Sequence, residues 1–546
     1  MITRIFAVLT LFASFAAAEV SFEEGIKAHL DKLTKDELPG MAVLVSRDGK
    51  IAFQGGFGLA DLEKKTPVTI DTKFRIGSVS KQFTAAAIMR LAEDGKLALT
   101  DKLETFFPGF PGGGEITLHQ LLTHTSGLHS YTGKSEFMQR VEKPIAPAEL
   151  IAWFRSDKPD FAPGAGFLYN NSAYFLAGEI VAKVSGKSLD AFLKDTFFTP
   201  LGMNDTGICI NATPPPGIAR GYSVAVDKAA PALDWDMSWA GGAGALYSTV
   251  GDLFRWNEAL FGGKAMKPES LTLMTTPVKL PPGVDGMNYG YGLTMAPIAR
   301  LASVSHGGGL NGWSSDLLRI TDQRCTIVAL ANAMPPVPGR EPSGVSRTLA
   351  AKFLAAEIAK LPPQKEVAVD KKTYADLAGR YDYKTAVLTV TVEDGHLYTQ
   401  LTGQQKFEVF PSAPDEFFWK VTDAQVTFLR DDKRTVIAAR HAQNGSTFTA
   451  PRLTNTETKL TAPELDAILG EYQYGPNAIL AITRDGDSVF AQLTGQPKFP
   501  IFPKSATEYE WRVVPASAKF TKDKDGKVTK ATHTQNGTTF DAPKIK

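Results

Sequence analysis

The stretch GSVSKQFTAAAIMRLAED, residues 77–94, sets a serine directly after a glycine, a lysine three residues later, and an apolar run behind both. The run predicts a helix, and a helix brings positions i and i+3 onto one face about 5–6 Å apart. Ser78 and Lys81 then point the same way from the first turn. A serine hydroxyl is a poor nucleophile until a neighbour takes its proton, and an amine at this spacing is placed to take it. Gly77 lets the backbone turn sharply ahead of the helix, and the Ser78 amide falls among the unpaired N–H groups of a helix start. That amide is a ready half of an oxyanion hole. A bare Ser-x-x-Lys arises about once or twice by chance in a chain of this length, so its weight depends on its company.

Two other segments supply that company. Tyr169-Asn170-Asn171 stands in PGAGFLYNNSAYFLAG, where a loop enters a helix. A lysine close by favours the phenolate of Tyr169 and lets it act as a base, although its ordinary pKa is about 10. Asn171 offers an acceptor and donors, enough to hold Lys81 on one side and a substrate carbonyl on the other. SHGGGLNGW, residues 305–313, follows the strand-like LASV. Three glycines at a strand edge let a substrate backbone come close, the Gly309 N–H is expected as the second oxyanion donor, and His306 is expected to face the cleft. Taken singly, Tyr169 reads as a buried aromatic and SHGGGL as a glycine-rich turn with a surface histidine.

In this order the three motifs resemble the serine β-lactamase and penicillin-binding-protein superfamily, in the branch of class C β-lactamases, D-aminopeptidase and β-lactamase-like esterases. That family reads Ser-x-x-Lys, then Tyr-x-Asn, then Lys-Thr-Gly or His-x-Gly. ITLHQLLTHTSGL at 116–128 and GGAGALYSTVGDLFRWNEAL at 241–260 are similar to it as well. The resemblance implies Ser78 as nucleophile, Lys81 and Tyr169 as proton-transfer partners, Asn171 as orienter, and His306-Gly307-Gly308 as the sheet-edge motif. It implies acyl transfer to water from an amide or ester bond of a small molecule or peptide, with no cofactor. His306 departs from the lysine of classical β-lactamases, and a histidine mostly neutral at pH 7 gives a substrate carboxylate no fixed cation. The departure is compatible with D-aminopeptidase-like, penicillin-binding-protein-like or esterase work. A retired hydrolase that senses cell-wall peptides or β-lactams is the alternative of another class; the intact Ser78, Lys81 and Tyr169 count against it.

The chain has 546 residues, 43% hydrophobic and 21% charged, an ordinary globular composition with room for two or three cores. Lys+Arg 59 against Asp+Glu 58 leaves no electrostatic footprint for nucleic acid or acidic lipid. MITRIFAVLTLFASFAAAEV reads as a secretory signal cut after Ala18, so the mature protein is expected to be exported to a periplasm, without membrane insertion. Cys209 and Cys325 read as two buried thiols or as one disulfide. No Gly-x-Ser-x-Gly elbow or phosphate-binding glycine loop occurs, and His119, His124 and His129 recur every five residues without an acidic partner spaced for zinc, so no metal site is expected. The oligomeric state is left open.

The C-terminal third is a tandem duplication. QLTGQQKFEVFP at 400–411 returns as QLTGQPKFPIFP at 492–503, and HAQNGSTFTAPRL at 441–453 returns as HTQNGTTFDAPKI at 533–545, both offset by 92 residues. Alternating apolar residues broken by Asp394-Gly395 and Asp485-Gly486 read as hairpins, so each copy is expected to be a small closed, lipocalin-like antiparallel β-barrel. The expected organisation is a signal at 1–18, a hydrolase domain at 19–360, a linker LPPQKEV at 361–367, and barrels at 368–453 and 459–546. Within the hydrolase domain MAVLVSRDGKIAFQGGFGLAD at one end, and MNYGYGLTM, LASVSHG, SSDLLRI and CTIVALAN at the other, read as strands, with helices such as SAYFLAGEIVAKVSG between. The fold class is mixed α/β (α+β): an antiparallel sheet built from both ends, a helical region packed beside it, and a cleft between them.

Overall fold

The computed structural model describes residue 26 and residues 38–546, apart from 226–227, 282, 338, 384–385, 403, 444, 454–459, 476–477, 487, 495–497, 512–515 and 536–537. The expected leader and the break between the two repeats lie outside the described residues. A six-stranded antiparallel sheet runs in the order Thr294–Met295, Ser303–Leu310, Trp313–Ile320, Cys325–Ala331, Met41–Arg47, Lys50–Phe57. The two ends of the hydrolase domain meet within it, where Met41 pairs with Ala331 and Arg47 with Cys325. Asp48 and Gly49, with φ of 50° and 72°, make the tight turn that the Asp-Gly pair favours.

Both sheet faces are covered, which is why the strands Met41–Arg47 and Cys325–Ala331 are apolar almost throughout. Ala42, Leu44, Leu317, Val328 and Leu330 join the large core under the helical region. Val43, Val45, Leu318, Ile327 and Ala329 alternate to the other face, where Val345 and Leu349 of the helix Pro342–Phe353 close a second core. MNYGYGLTM forms only the two-residue strand Thr294–Met295. The rest of it folds into a tight turn, closed by Gly290 N–H donating to Leu293 O, because Gly292 at φ +69° lies against the backbone of Lys81.

The helix Ser80–Glu93 is buried on all sides, with eleven of its fourteen residues enclosed. Phe83 packs on Trp256 at 4.2 Å between ring centroids, and Trp256 Nε1 donates to Gln82 Oε1. Its buried polar side chains are partnered, as Gln82 is, and the enclosed helix forms a platform for what precedes it. The helix Asn171–Ser185 begins with Asn170 Oδ1 accepting from the Ala173 amide and ends at Gly186 in the left-handed region.

Each repeat is an eight-stranded antiparallel meander, Gly379–Asp382 to Ser446–Pro451 and Gly470–Gly475 to Thr538–Pro543. Bridges Tyr381↔Arg452 and Tyr472↔Lys544 bring the first strand to the segment after the last, so the meanders nearly close into barrels. Tyr381 and Tyr472 occupy equivalent places, each donating its hydroxyl to a carbonyl four residues back, Leu377 O and Ile468 O. The first barrel docks on the hydrolase domain through main chain. Asn288 N–H donates to Gly445 O at 2.6 Å, Thr447 N–H to Gly286 O at 2.8 Å, and Thr449 N–H to Asp285 Oδ2 at 2.8 Å. Both cysteines are buried and unbonded.

Candidate active site

Ser78 sits in a turn of 3₁₀-helix, Gly77–Val79, that runs straight into the helix Ser80–Glu93. At three residues per turn, side chains at i and i+3 eclipse, so the tighter winding aligns Ser78 with Lys81 more closely than an α-turn does. Gly77 adopts φ +50°, and a Cβ there would stand 2.9 Å from the Gly309 nitrogen, so only glycine permits this approach of strand to turn. The Ser78 and Gly309 main chains thereby border one pocket.

Lys81 Nζ lies 3.0 Å from Ser78 Oγ, 2.8 Å from Asn171 Oδ1 and 2.8 Å from Ala243 O. Asn171 is fixed in turn: its Nδ2 donates to Thr132 Oγ1 and its backbone N–H to Ser130 Oγ. Burial without an acidic partner pushes Lys81 well below the ordinary lysine range. That shift favours the neutral amine over the ammonium. Nζ donates to all three oxygens, and an amine that kept the Asn171 and Ala243 contacts would turn its lone pair to the Ser78 hydroxyl.

Tyr169 comes alongside, its ring centroid 4.8 Å from Lys81 Nζ. Its hydroxyl is shut off from solvent and has no partner at hydrogen-bonding geometry. Burial pushes the phenol well above its ordinary value, and Ser78 only partly offsets that. Burial thus works against the expected phenolate. The same desolvation that disfavours the ammonium also penalises the phenolate, so it favours an amine and a phenol over two ions.

The glycine strand divides. Gly309 is exposed at the pocket, but a Cβ on Gly308 would fall 2.1 Å from Ile76 O, so Gly308 serves close packing against the turn. His306 does not face the cleft. It is 6% exposed, with Nε2 2.8 Å from Tyr289 Oη and Nδ1 2.6 Å from Gly307 O. Burial first, then the nearby Lys81, lower its pKa to about 3. The three spaced histidines scatter: His119 Nδ1 meets Tyr291 Oη, His124 Nδ1 accepts from the Asn170 amide inside an aromatic cage, and His129 pairs with Asp160.

Several parts of the site were not legible in the sequence. The Ala243 carbonyl is main chain and carries no side-chain signal, although GGAGALYS surrounds it. Ser130 and Thr132 lie at a single turn of 3₁₀-helix, Tyr131–Gly133, too short to show periodicity. Tyr289, which caps His306, reads only as one aromatic of a strand. On the far side of Ser78 a pocket of about 180 Å³ is walled by Tyr131, Phe137, Trp235 and Trp239.

Fold and site together define a serine hydrolase. The chain belongs to the β-lactamase family, whose model matches residues 26–352, and residues 363–459 match a domain of unknown function (DUF3471). Penicillin-binding protein 4* of Bacillus subtilis is 30% identical over 71% of this chain and 89% of its own length. A D-aminopeptidase of Brucella anthropi is 25% identical over 84% of this chain and 83% of its own. Among solved structures, an octameric penicillin-binding protein homologue from Pyrococcus abyssi is similar over 78% of this chain and 99% of its own, with TM-score 0.53 and 26% identity. A D-amino acid amidase from Ochrobactrum anthropi is similar over 62% of this chain and 98% of its own, with TM-score 0.54 and 26% identity.

Proposed function

We propose that the protein hydrolyses an amide or ester bond through an acyl-enzyme on Ser78. The observation that carries this is the 3.0 Å approach of the buried, carbonyl-anchored Lys81 amine to Ser78 Oγ. Lys81 takes the hydroxyl proton as Ser78 adds to the substrate carbonyl. The Ser78 and Gly309 amides face the resulting oxyanion. Tyr169, protonated and enclosed, passes its proton to the leaving group and takes the one held by Lys81, so that amine and phenol are restored; water then adds to the acyl carbonyl, its proton passes by way of Lys81 to Ser78 Oγ, and the acid is released.

The relatives named penicillin-binding protein and D-aminopeptidase support a peptide-type amide as the bond attacked. A second possibility, a carboxylesterase, is favoured by His306, which is neutral and enclosed and supplies no cation for a substrate carboxylate. The apolar leader at 1–18 supports export to a periplasm. Replacing Ser78 by Ala is expected to abolish turnover of a p-nitrophenyl ester and of an amino-acid amide while leaving the thermal unfolding midpoint unchanged. Turnover retained by that variant rules Ser78 out as nucleophile.

A further inference from the structure

We propose that the site accepts acyl groups bearing one uncharged, ring-sized apolar side chain and no free α-ammonium. This rests on the serine mechanism above and narrows its substrate class. The pocket beside Ser78 measures about 180 Å³, and an apolar cavity of about 150 Å³ suffices for benzene. Its walls are held rigidly. Tyr131 Oη donates to Trp239 O and Trp239 Nε1 to Lys143 O, so their polar atoms are already occupied. Phe137 stands edge-on to Trp235 at 5.0 Å and to Trp239 at 5.7 Å. Of the twelve residues that line the pocket, all described, none is charged.

Which half of the substrate enters follows from the proton donor. Tyr169 does not line this pocket, and a donor must stand beside the group it protonates, so the leaving group lies toward Tyr169 and the acyl group toward the aromatic walls. An ammonium carried in on the acyl side would lose its water and meet no carboxylate, which is unfavourable for a buried charge. An acyl residue whose nitrogen is acylated, or that has no amine, avoids that cost. The peptide-type substrate is then one cut at an internal acyl residue, and the ester-type substrate an arylacyl ester.

The test compares kcat/KM for p-nitrophenyl phenylacetate against the acetate, and for N-acetyl-phenylalanine p-nitroanilide against the free-amine compound, in both configurations. The phenylacetate and the N-acetyl compound are each expected to win by about tenfold or more. Trp235→Ala is expected to bring the phenylacetate-to-acetate ratio down toward one, with Trp235→Phe restoring part of it. Ala240→Leu, which fills the pocket from its buried floor, is expected to slow the phenylacetate more than the acetate. A free-amine anilide preferred over its N-acetyl form, or a ratio that neither variant moves, overturns the proposal. Such results with hydrolysis still lost in Ser78→Ala leave the serine mechanism standing, whereas hydrolysis surviving in Ser78→Ala removes the mechanism itself.

Discussion

In the proposed mechanism the chemistry turns on Lys81, whose state is set by what surrounds it. A lysine in water is an ammonium and no base; enclosed among Tyr169, Tyr174 and two carbonyl oxygens, it loses the solvation that favours the charge. A lowered pKa means that the amine is active above it and inactive once protonated below it. The acid limb of kcat/KM is therefore expected far below the ordinary lysine value of about 10.4. A rate that rises only as pH nears 10 would assign the base elsewhere. Lys81→Ala is expected to cost about 10²–10⁴-fold in kcat, the usual contribution of a positioned base, measured with a fast-leaving ester.

At the scale of elements, the strand pair Ser303–Leu310 and Trp313–Ile320 does two jobs on its two faces. One edge brings Gly309 to Ser78; the opposite face buries Asp316 beneath the helix Pro342–Phe353. Burial raises the Asp316 pKa to about 6, with Ser346 and Arg347 opposing. A carboxyl raised in the fold binds its proton more tightly folded than unfolded. It carries no penalty below the unfolded value of about 4, and its ionisation weakens the fold progressively up to about pH 6, by about 3 kcal/mol in all. Asp316→Asn is thus expected to raise the unfolding midpoint at pH 7.5 and to leave it nearly unchanged at pH 4, read by thermal melts at both. A variant equally or less stable at pH 7.5 would mean that Ser346 and Arg347 outweigh the burial.

For the whole molecule, the first barrel is part of the hydrolase in a direct sense. The segment 285–288 takes hydrogen bonds from and gives them to the barrel strand Ser446–Pro451 and the turn before it, and the next residue, Tyr289, caps His306. The second barrel is a poor substitute. Where the first has Thr449 and Arg440 around Asp285, the second has Asp541 and Thr532, and Asp541 is held by Lys530. A chain ended at residue 362 is expected to keep Ser78-dependent turnover, but with kcat lowered several-fold and an earlier melt. Asp285→Ala in the full chain is expected to shift both the same way and less, since the partly exposed Asp285–Arg440 pair is worth under about 1 kcal/mol. Kinetics identical to the full chain would show the docking to be incidental to the site.

The sequence by itself determined the parts that local periodicity and repetition encode. The Ser-x-x-Lys spacing, the Asp-Gly turns, the helix closed at Gly186 and the duplicated β-units all follow from rules that act within a few residues or from direct self-similarity. Tertiary structure alone decided the charges and the orientations. His306 was expected at the cleft and is enclosed by Tyr289; Tyr169 was expected as a phenolate and burial favours the phenol; the Ala243 carbonyl and the Trp235–Trp239 wall enter from segments with no chemical signature of their own. Those outcomes depend on how much water each group retains once distant segments close around it, and desolvation is a property of the assembled interior that no residue spacing carries.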